Sequence, residues 1–267
     1  MEVSLTSLTQ IFAILFGLVV GSFLNVVIYR LPRGESVVRP RSHCPHCGQL
    51  VRWYDNIPLL SFFLLKRRCR SCKNPISWRY PFVEGLSGLL ALLIFWKFTD
   101  PFVALLYSLF LAFPLLAISG IDLEHKIIPN VITLPGIPIG FLISAGLGGW
   151  NRQAFFGSSL GILVGGGALL LVGISYQKLR GREGLGMGDV KLAAMLGAYF
   201  GWQGVLFILL ISSLLGSVVG LILLLFFKKG HQEPIPYGPF LSLAGLIQLL
   251  FGKELIQAYL NLSYNLY

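Results

Sequence analysis

Residues 190–227 read as one oily run, interrupted only at Gly201-Trp202-Gln203-Gly204. A helix rises about 1.5 Å per residue and a bilayer core is about 30 Å thick, so this run is too long for one span and the Gly201–Gly204 stretch is the place for a turn. Further apolar runs cover 8–29, 82–98, 101–121, 127–148 and 154–175, and a last one starts near Pro239 and fades by 252. In lipid the backbone must satisfy its own polar groups, and runs of this length do so as helices. The composition agrees: 55% of the residues are hydrophobic and 12% charged, against about 25% charged in a soluble domain. The expectation is an all-α polytopic membrane protein of about eight transmembrane helices. It divides into a first transmembrane helix (1–29), a polar insert (30–80) and a membrane domain of about seven helices (81–267).

Charge sets the expected orientation. The net charge is +10, and eleven of the basic residues lie in 30–80, opposed there only by Glu35 and Asp55. Basic residues mark the cytosolic side of membrane proteins. With the insert in the cytosol and eight spans, the inner loops hold 18 Lys and Arg and the outer ones three, Lys97, Arg152 and Lys253. The N-terminus is then outside. This topology accounts for the basic balance, so no nucleic-acid partner is expected, although the excess also suits anionic lipid headgroups. With Glu2 and no Lys or Arg ahead of it, the first helix reads as a retained anchor. Pro129, Pro135 and Pro138 predict a fourth helix that starts late or bends.

All four cysteines lie in the insert, as Cys44-Pro-His-Cys47 and Cys69-Arg-Ser-Cys72. Each C-x-x-C turn aims two thiolates at one point, and two turns complete a tetrahedron, so the spacing predicts a structural zinc site. Disulfides are disfavoured in the cytosol. His43 and His46 are alternative ligands, and an iron–sulfur cluster is a further use of four thiolates. A metal would supply folding energy that so basic a loop lacks.

Two aspartates stand where polar turns meet oily helices, Asp122 in Gly120–Pro129 and Asp189 in Gly184–Lys191. An ionisable group at membrane depth is costly and marks a functional site. The topology puts Asp122 after an outside-to-inside span and Asp189 before an inside-to-outside one, hence both at the cytosolic face. Two carboxylates near a hydrolysable bond can act as base and acid. Helix ends favour charge on Asp189, at an N-terminus, over Asp122, at a C-terminus. The expectation is that Asp189 is the base and Asp122 carries the shared proton. Taken singly, Asp189 also suits a helix cap and Asp122 an interfacial turn.

The sequence resembles bacterial type IV prepilin leader peptidases, bifunctional peptidase/N-methyltransferases, over nearly its whole length. The resemblance rests on Val20–Pro32, the double C-x-x-C, Tyr54–Ser61, Arg79–Glu84, Asp122–Pro129, Gly186-Met187-Gly188-Asp189 and Ile235–Phe240. It implies a membrane aspartyl endopeptidase with Asp122 and Asp189 catalytic, in a bacterial inner membrane. Its substrates would be prepilins and type II secretion pseudopilins, cut after a glycine at the cytosolic face. The new N-terminal residue would then be methylated with S-adenosylmethionine. No Gly-rich cofactor fingerprint of the soluble kind appears. Asn56 and Glu84, with Asp55 beside them, are the cofactor-contacting candidates, although Asn56 also suits a turn before Pro58 and Glu84 an ion pair with Arg79. The rival readings are another G-x-G-D intramembrane aspartyl protease, and a non-catalytic transporter with the aspartates as ion ligands.

Overall fold

The computed structural model describes residues 5–181, 184–227 and 235–264. Among them every regular element is helical: α1 (Leu5–Arg30), α2 (Leu60–Leu64), α3 (Arg79–Lys97), α4 (Pro101–Tyr107), α5 (Phe113–His125), α6 (Asn130–Leu147), α7 (Arg152–Arg180), α8 (Met187–Phe227) and α9 (Gly238–Tyr264). A π-helical turn, Ser108–Ala112, joins α4 to α5, and short 3₁₀ turns cover Leu31–Arg33 and Trp53–Asn56. Among the described residues six helical segments are long and apolar enough to cross a membrane, and Gly238–Gly252 is a shorter apolar helix. The expected eight spans are not established by this count. Two of the eight were drawn from Met187–Phe226, which is broken at Gly201, where φ is 69° and ψ −178°. The chain reverses there, as expected at Gly201–Gly204: a Cβ on Gly165 of α7 would meet both the Ala193 carbonyl oxygen (2.4 Å) and Val205 Cγ2 (2.8 Å), residues about 18 Å apart along an unbroken helix, and the missing Cβ of Gly201 permits that backbone.

Helix ends follow local chemistry. The Asp100 carboxylate accepts the Phe102 N–H (2.8 Å) and Pro101 opens α4. The Asn151 side chain accepts the Ala154 N–H (2.8 Å) at the start of α7, and Gly181 closes that helix with φ 66°. Pro129 precedes α6, and Pro135 and Pro138 lie inside it, so the helix does start late, as its prolines predict.

The chain divides into two compact units, Met1–Ala117 and Ile118–Tyr267. In the first, α1 packs on α3 through small residues. A Cβ on Gly17 would lie 2.5 Å from the Ser87 carbonyl oxygen, and one on Gly21 2.8 Å from the Glu84 Cα. Close approach of this kind is how helices associate in lipid, where apolar burial gives little advantage. In the second unit α7 meets α8 the same way: a Cβ on Gly161 would lie 2.1 Å from the Gly197 carbonyl oxygen. On α6, Gly136 and Gly140 receive the Met195 and Tyr199 side chains of α8. The outward faces stay oily, with Val218, Leu221 and Leu225 of α8 all more than half exposed, as suits a lipid-facing surface.

Candidate functional site

Asp122 lies in the last turn of α5 and is buried. Asp189 lies in the first turn of α8. The Gly238 N–H, at the start of α9, donates to Asp122 Oδ2 at 2.9 Å. Asp189 forms half a capping box: its own N–H donates to the Gly186 carbonyl (3.1 Å) and its carboxylate accepts the Gly186 N–H. Its Oδ1 is buried without a partner. Ile128 packs against both Gly188, beside Asp189, and Gly238, whose N–H holds Asp122, so the fold brings the two aspartates to one place across 67 residues of sequence.

Ile128, in the turn between α5 and α6, fits between the glycines beside the pair. A Cβ on Gly188 would lie 2.8 Å from Ile128 Cβ, and one on Gly238 would lie 3.1 Å from Ile128 Cδ1 and 2.7 Å from Asp122 Oδ2. Glycine is required at both places by contact. Lys191 Nζ donates to Asn130 Oδ1 (2.9 Å) and ties the start of α6 to α8 close by. The helix-end argument for an ionised Asp189 and a protonated Asp122 no longer separates the two, because the amide end of α9 faces Asp122. Gly238 was quoted within the Ile235–Phe240 motif, but nothing in its spacing pointed at Asp122.

The four cysteines meet in the first unit. Their sulfurs all lie within 4.8 Å of one another, with Cys44 Sγ and Cys72 Sγ 3.8 Å apart. A tetrahedral zinc with bonds of about 2.3 Å places its sulfurs about 3.8 Å apart, so the donor set fits such an ion. The two knuckles repeat one backbone pattern. Cys44 N–H bonds to Gln49 O and Gly48 N–H to Cys44 O; Cys69 N–H bonds to Asn74 O and Lys73 N–H to Cys69 O. Gly48 (φ 69°) and Lys73 (φ 61°) hold matching left-handed positions. The Cys72 backbone N–H draws the Cys69 thiol down to about 7. Cys72, although the Asn74 N–H favours its thiolate, is pushed up to about 11 by burial and the neighbouring thiols.

A cavity of about 660 Å³ opens in the same unit, with Asn56, Glu84, Asn25, Arg30 and Tyr80 among its lining residues. Asn56 ends the Trp53–Asn56 turn. Asp55 turns to the second knuckle, where Arg70 donates to its two carboxylate oxygens from Nε (2.8 Å) and Nη2 (2.6 Å) and holds its carboxyl below the usual range. Glu84 is buried and accepts the Leu59 N–H (2.8 Å) on Oε2. That contact takes the place of the ion pair considered for it with Arg79. Asn25, passed over in the sequence as a helix-facing polar residue, lies at the cavity with its Oδ1 buried and unpartnered.

Fold and site together define a class: a polytopic helical membrane protein with two carboxylates brought together at helix ends. Residues 15–98 match the family described as Bacterial Peptidase A24 N-terminal domain, and residues 109–221 match the Type IV leader peptidase family. Relatives named "Prepilin leader peptidase/N-methyltransferase" include those of Stutzerimonas stutzeri, 38% identical over 94% of this chain and 93% of its own, and of Aeromonas hydrophila, 39% identical over 92% of each. That of Myxococcus xanthus is 44% identical over 82% of this chain and 64% of its own. No solved structure matches the chain. The chain belongs to the type IV leader peptidase family.

Proposed function

We propose that this protein cuts the leader from type IV prepilins and type II secretion pseudopilins after a glycine and then N-methylates the new N-terminal residue. The observation that carries the reading is the meeting of Asp122 and Asp189, with the Gly238 N–H on one and an unpartnered oxygen on the other. One carboxylate takes a proton from a water, whose oxygen attacks the scissile carbonyl carbon. The other gives its proton to the carbonyl oxygen. On collapse the C–N bond breaks and a proton passes from the dyad to the leaving amine. Glycines at 188 and 238 let Ile128 and the Asp122 carboxylate close onto the helix ends that carry the pair.

The charge pattern supports a bacterial inner-membrane location with the N-terminus outside and the dyad at the cytosolic face. Cys44, Cys47, Cys69 and Cys72 hold a structural zinc that fixes the fold of 30–80, since four protein ligands leave no open position. S-adenosylmethionine supplies the methyl group. The first-unit cavity suits it in size, with hydrogen-bond acceptors at Asn25 and Glu84, a polar wall at Asn56 and aromatic surface at Tyr80. Incubation of the purified chain with a prepilin and methyl-labelled S-adenosylmethionine, read by mass spectrometry, tests both halves. The expected product is a leaderless pilin carrying one label at its N-terminus. An uncut prepilin would refute the peptidase half, and a cut but unlabelled product the methyltransferase half.

A further inference from the structure

Two buried polar side chains, Asn25 and Glu84, line the first-unit cavity. Asn25 is 1% exposed. Its amide nitrogen donates to the Gly21 and Tyr80 carbonyls (3.3 and 3.1 Å), which fixes the ring of contacts around it and leaves Oδ1 with no partner. Glu84 is 7% exposed. It lies one helical turn from Tyr80 on α3, as Gly21 lies one turn from Asn25 on α1, so the two side chains occupy neighbouring rungs of the α1–α3 crossing. The Leu59 N–H and Ser22 hydrogen-bond Glu84, yet among the described residues no basic group pairs with it. Arg30, Arg33, Arg52, Arg70 and Arg79 also line the cavity, and two of them are bound to other groups. Arg30 donates to the Ser36, Pro40 and Arg41 carbonyls, and Arg70 is held by Asp55. Leu59 itself sits at φ 59°, a costly backbone for a non-glycine residue.

A buried carboxylate without a counter-ion is expensive, and a buried amide oxygen without a donor adds to the cost. Both costs fall when one positively charged group with N–H or S⁺ character enters the cavity. The geometry points to Asn25 Oδ1 and the Glu84 carboxylate as the floor of a binding site for a small organic cation, a primary ammonium or a sulfonium group. This rests on the methyl-transfer reading above, which offers that chemistry from two sources. One is S-adenosylmethionine, with its sulfonium and amino groups. The other is the ammonium freed at the substrate's N-terminus by cleavage.

Equilibrium binding to the full chain in detergent separates the sources. The probes are S-adenosylmethionine, S-adenosylhomocysteine (ammonium kept, sulfonium lost), uncharged 5′-methylthioadenosine, and a Phe-initiated peptide with a free or acetylated N-terminus. Glu84→Gln keeps an acceptor for the Leu59 N–H and removes the charge. It is expected to weaken at least one cationic probe by about tenfold or more, as for a lost charged hydrogen bond. Loss of both adenosyl amino acids assigns the floor to the cofactor's ammonium, loss of S-adenosylmethionine alone to its sulfonium, and loss of the free-amine peptide alone to the substrate. Metal content of the four-cysteine cluster reports folding of the variant. Unchanged affinity for every probe in Glu84→Gln overturns the inference. So does a wild-type chain that binds 5′-methylthioadenosine as tightly as S-adenosylmethionine and the acetylated peptide as tightly as the free one. A wild-type chain that neither binds S-adenosylmethionine nor transfers its methyl group overturns the methyl-transfer reading itself.

Discussion

Gly238→Ala isolates the geometry around Asp122 from the stability of the fold. The new Cβ would stand 2.7 Å from Asp122 Oδ2, against 3.4 Å or more in ordinary contact. The carboxylate must therefore retreat by about 0.7 Å, which stretches its 2.9 Å bond from the Gly238 N–H past the useful range of about 3.2 Å. A hydrogen bond to a charged group contributes about 1.5–3 kcal/mol. At about 1.36 kcal/mol per factor of ten, kcat/KM for leader cleavage is expected to fall about 10- to 150-fold. The groups that the Cβ meets, Ile128 Cδ1 (3.1 Å) and Asp122 Oδ2, are side-chain ends that can shift, so the melting temperature is expected to fall little. Cleavage by the purified variant at the wild-type rate, with an unchanged melting temperature, would refute the placement of Gly238 against the dyad.

Gly161→Ala is expected to lower the melting temperature strongly, because its Cβ meets the Gly197 backbone carbonyl at 2.1 Å and backbone cannot step aside, a cost of about 1–3 kcal/mol or more. Gly136→Ala meets only the mobile end of Met195, at 2.5 Å, and is expected to cost less; equal or reversed melting temperatures would contradict this account of helix packing. Metal bound to the wild-type chain, measured by elemental analysis, is expected at neutral pH and to be released on acidification, as protons compete for the thiolates. Cys44→Ser is expected to lose the metal at any pH, and full retention would refute the four-thiolate site. The Asp55 carboxyl, held down by Arg70, is expected to titrate below its ordinary 3.8. Its contribution to stability is then present above 3.8 and lost as pH falls through the lower folded value; a carboxyl titration midpoint at or above 3.8 would contradict the ion pair.

Much of this was legible in the sequence because the relevant physics is local. Apolar runs of span length admit helices in lipid and little else, and Pro129 and Gly201 marked a helix start and a chain reversal through their backbone limits. The cysteine pairs were legible because C-x-x-C turns carry their geometry with them, and the 4.8 Å cluster is what that spacing implies. Other features depended on contacts between distant segments. Asp122 meets Gly238 across 116 residues, and no periodicity announces such a bond. Asn25 looked like any polar residue on a packed helix until its Oδ1 proved unpartnered at a cavity. Glu84 pairs with a backbone N–H at the strained Leu59, an arrangement that residue types alone cannot show. The π-helical turn at Ser108–Ala112 has no composition to distinguish it from the helices around it.

The central claim is that Asp122 and Asp189 work as one catalytic pair, and single Asp122→Asn and Asp189→Asn variants assayed on a purified prepilin test it most directly. Each substitution nearly preserves shape and removes one carboxylate, so each is expected to slow leader cleavage about 100-fold or more. Wild-type cleavage by either variant would contradict the account.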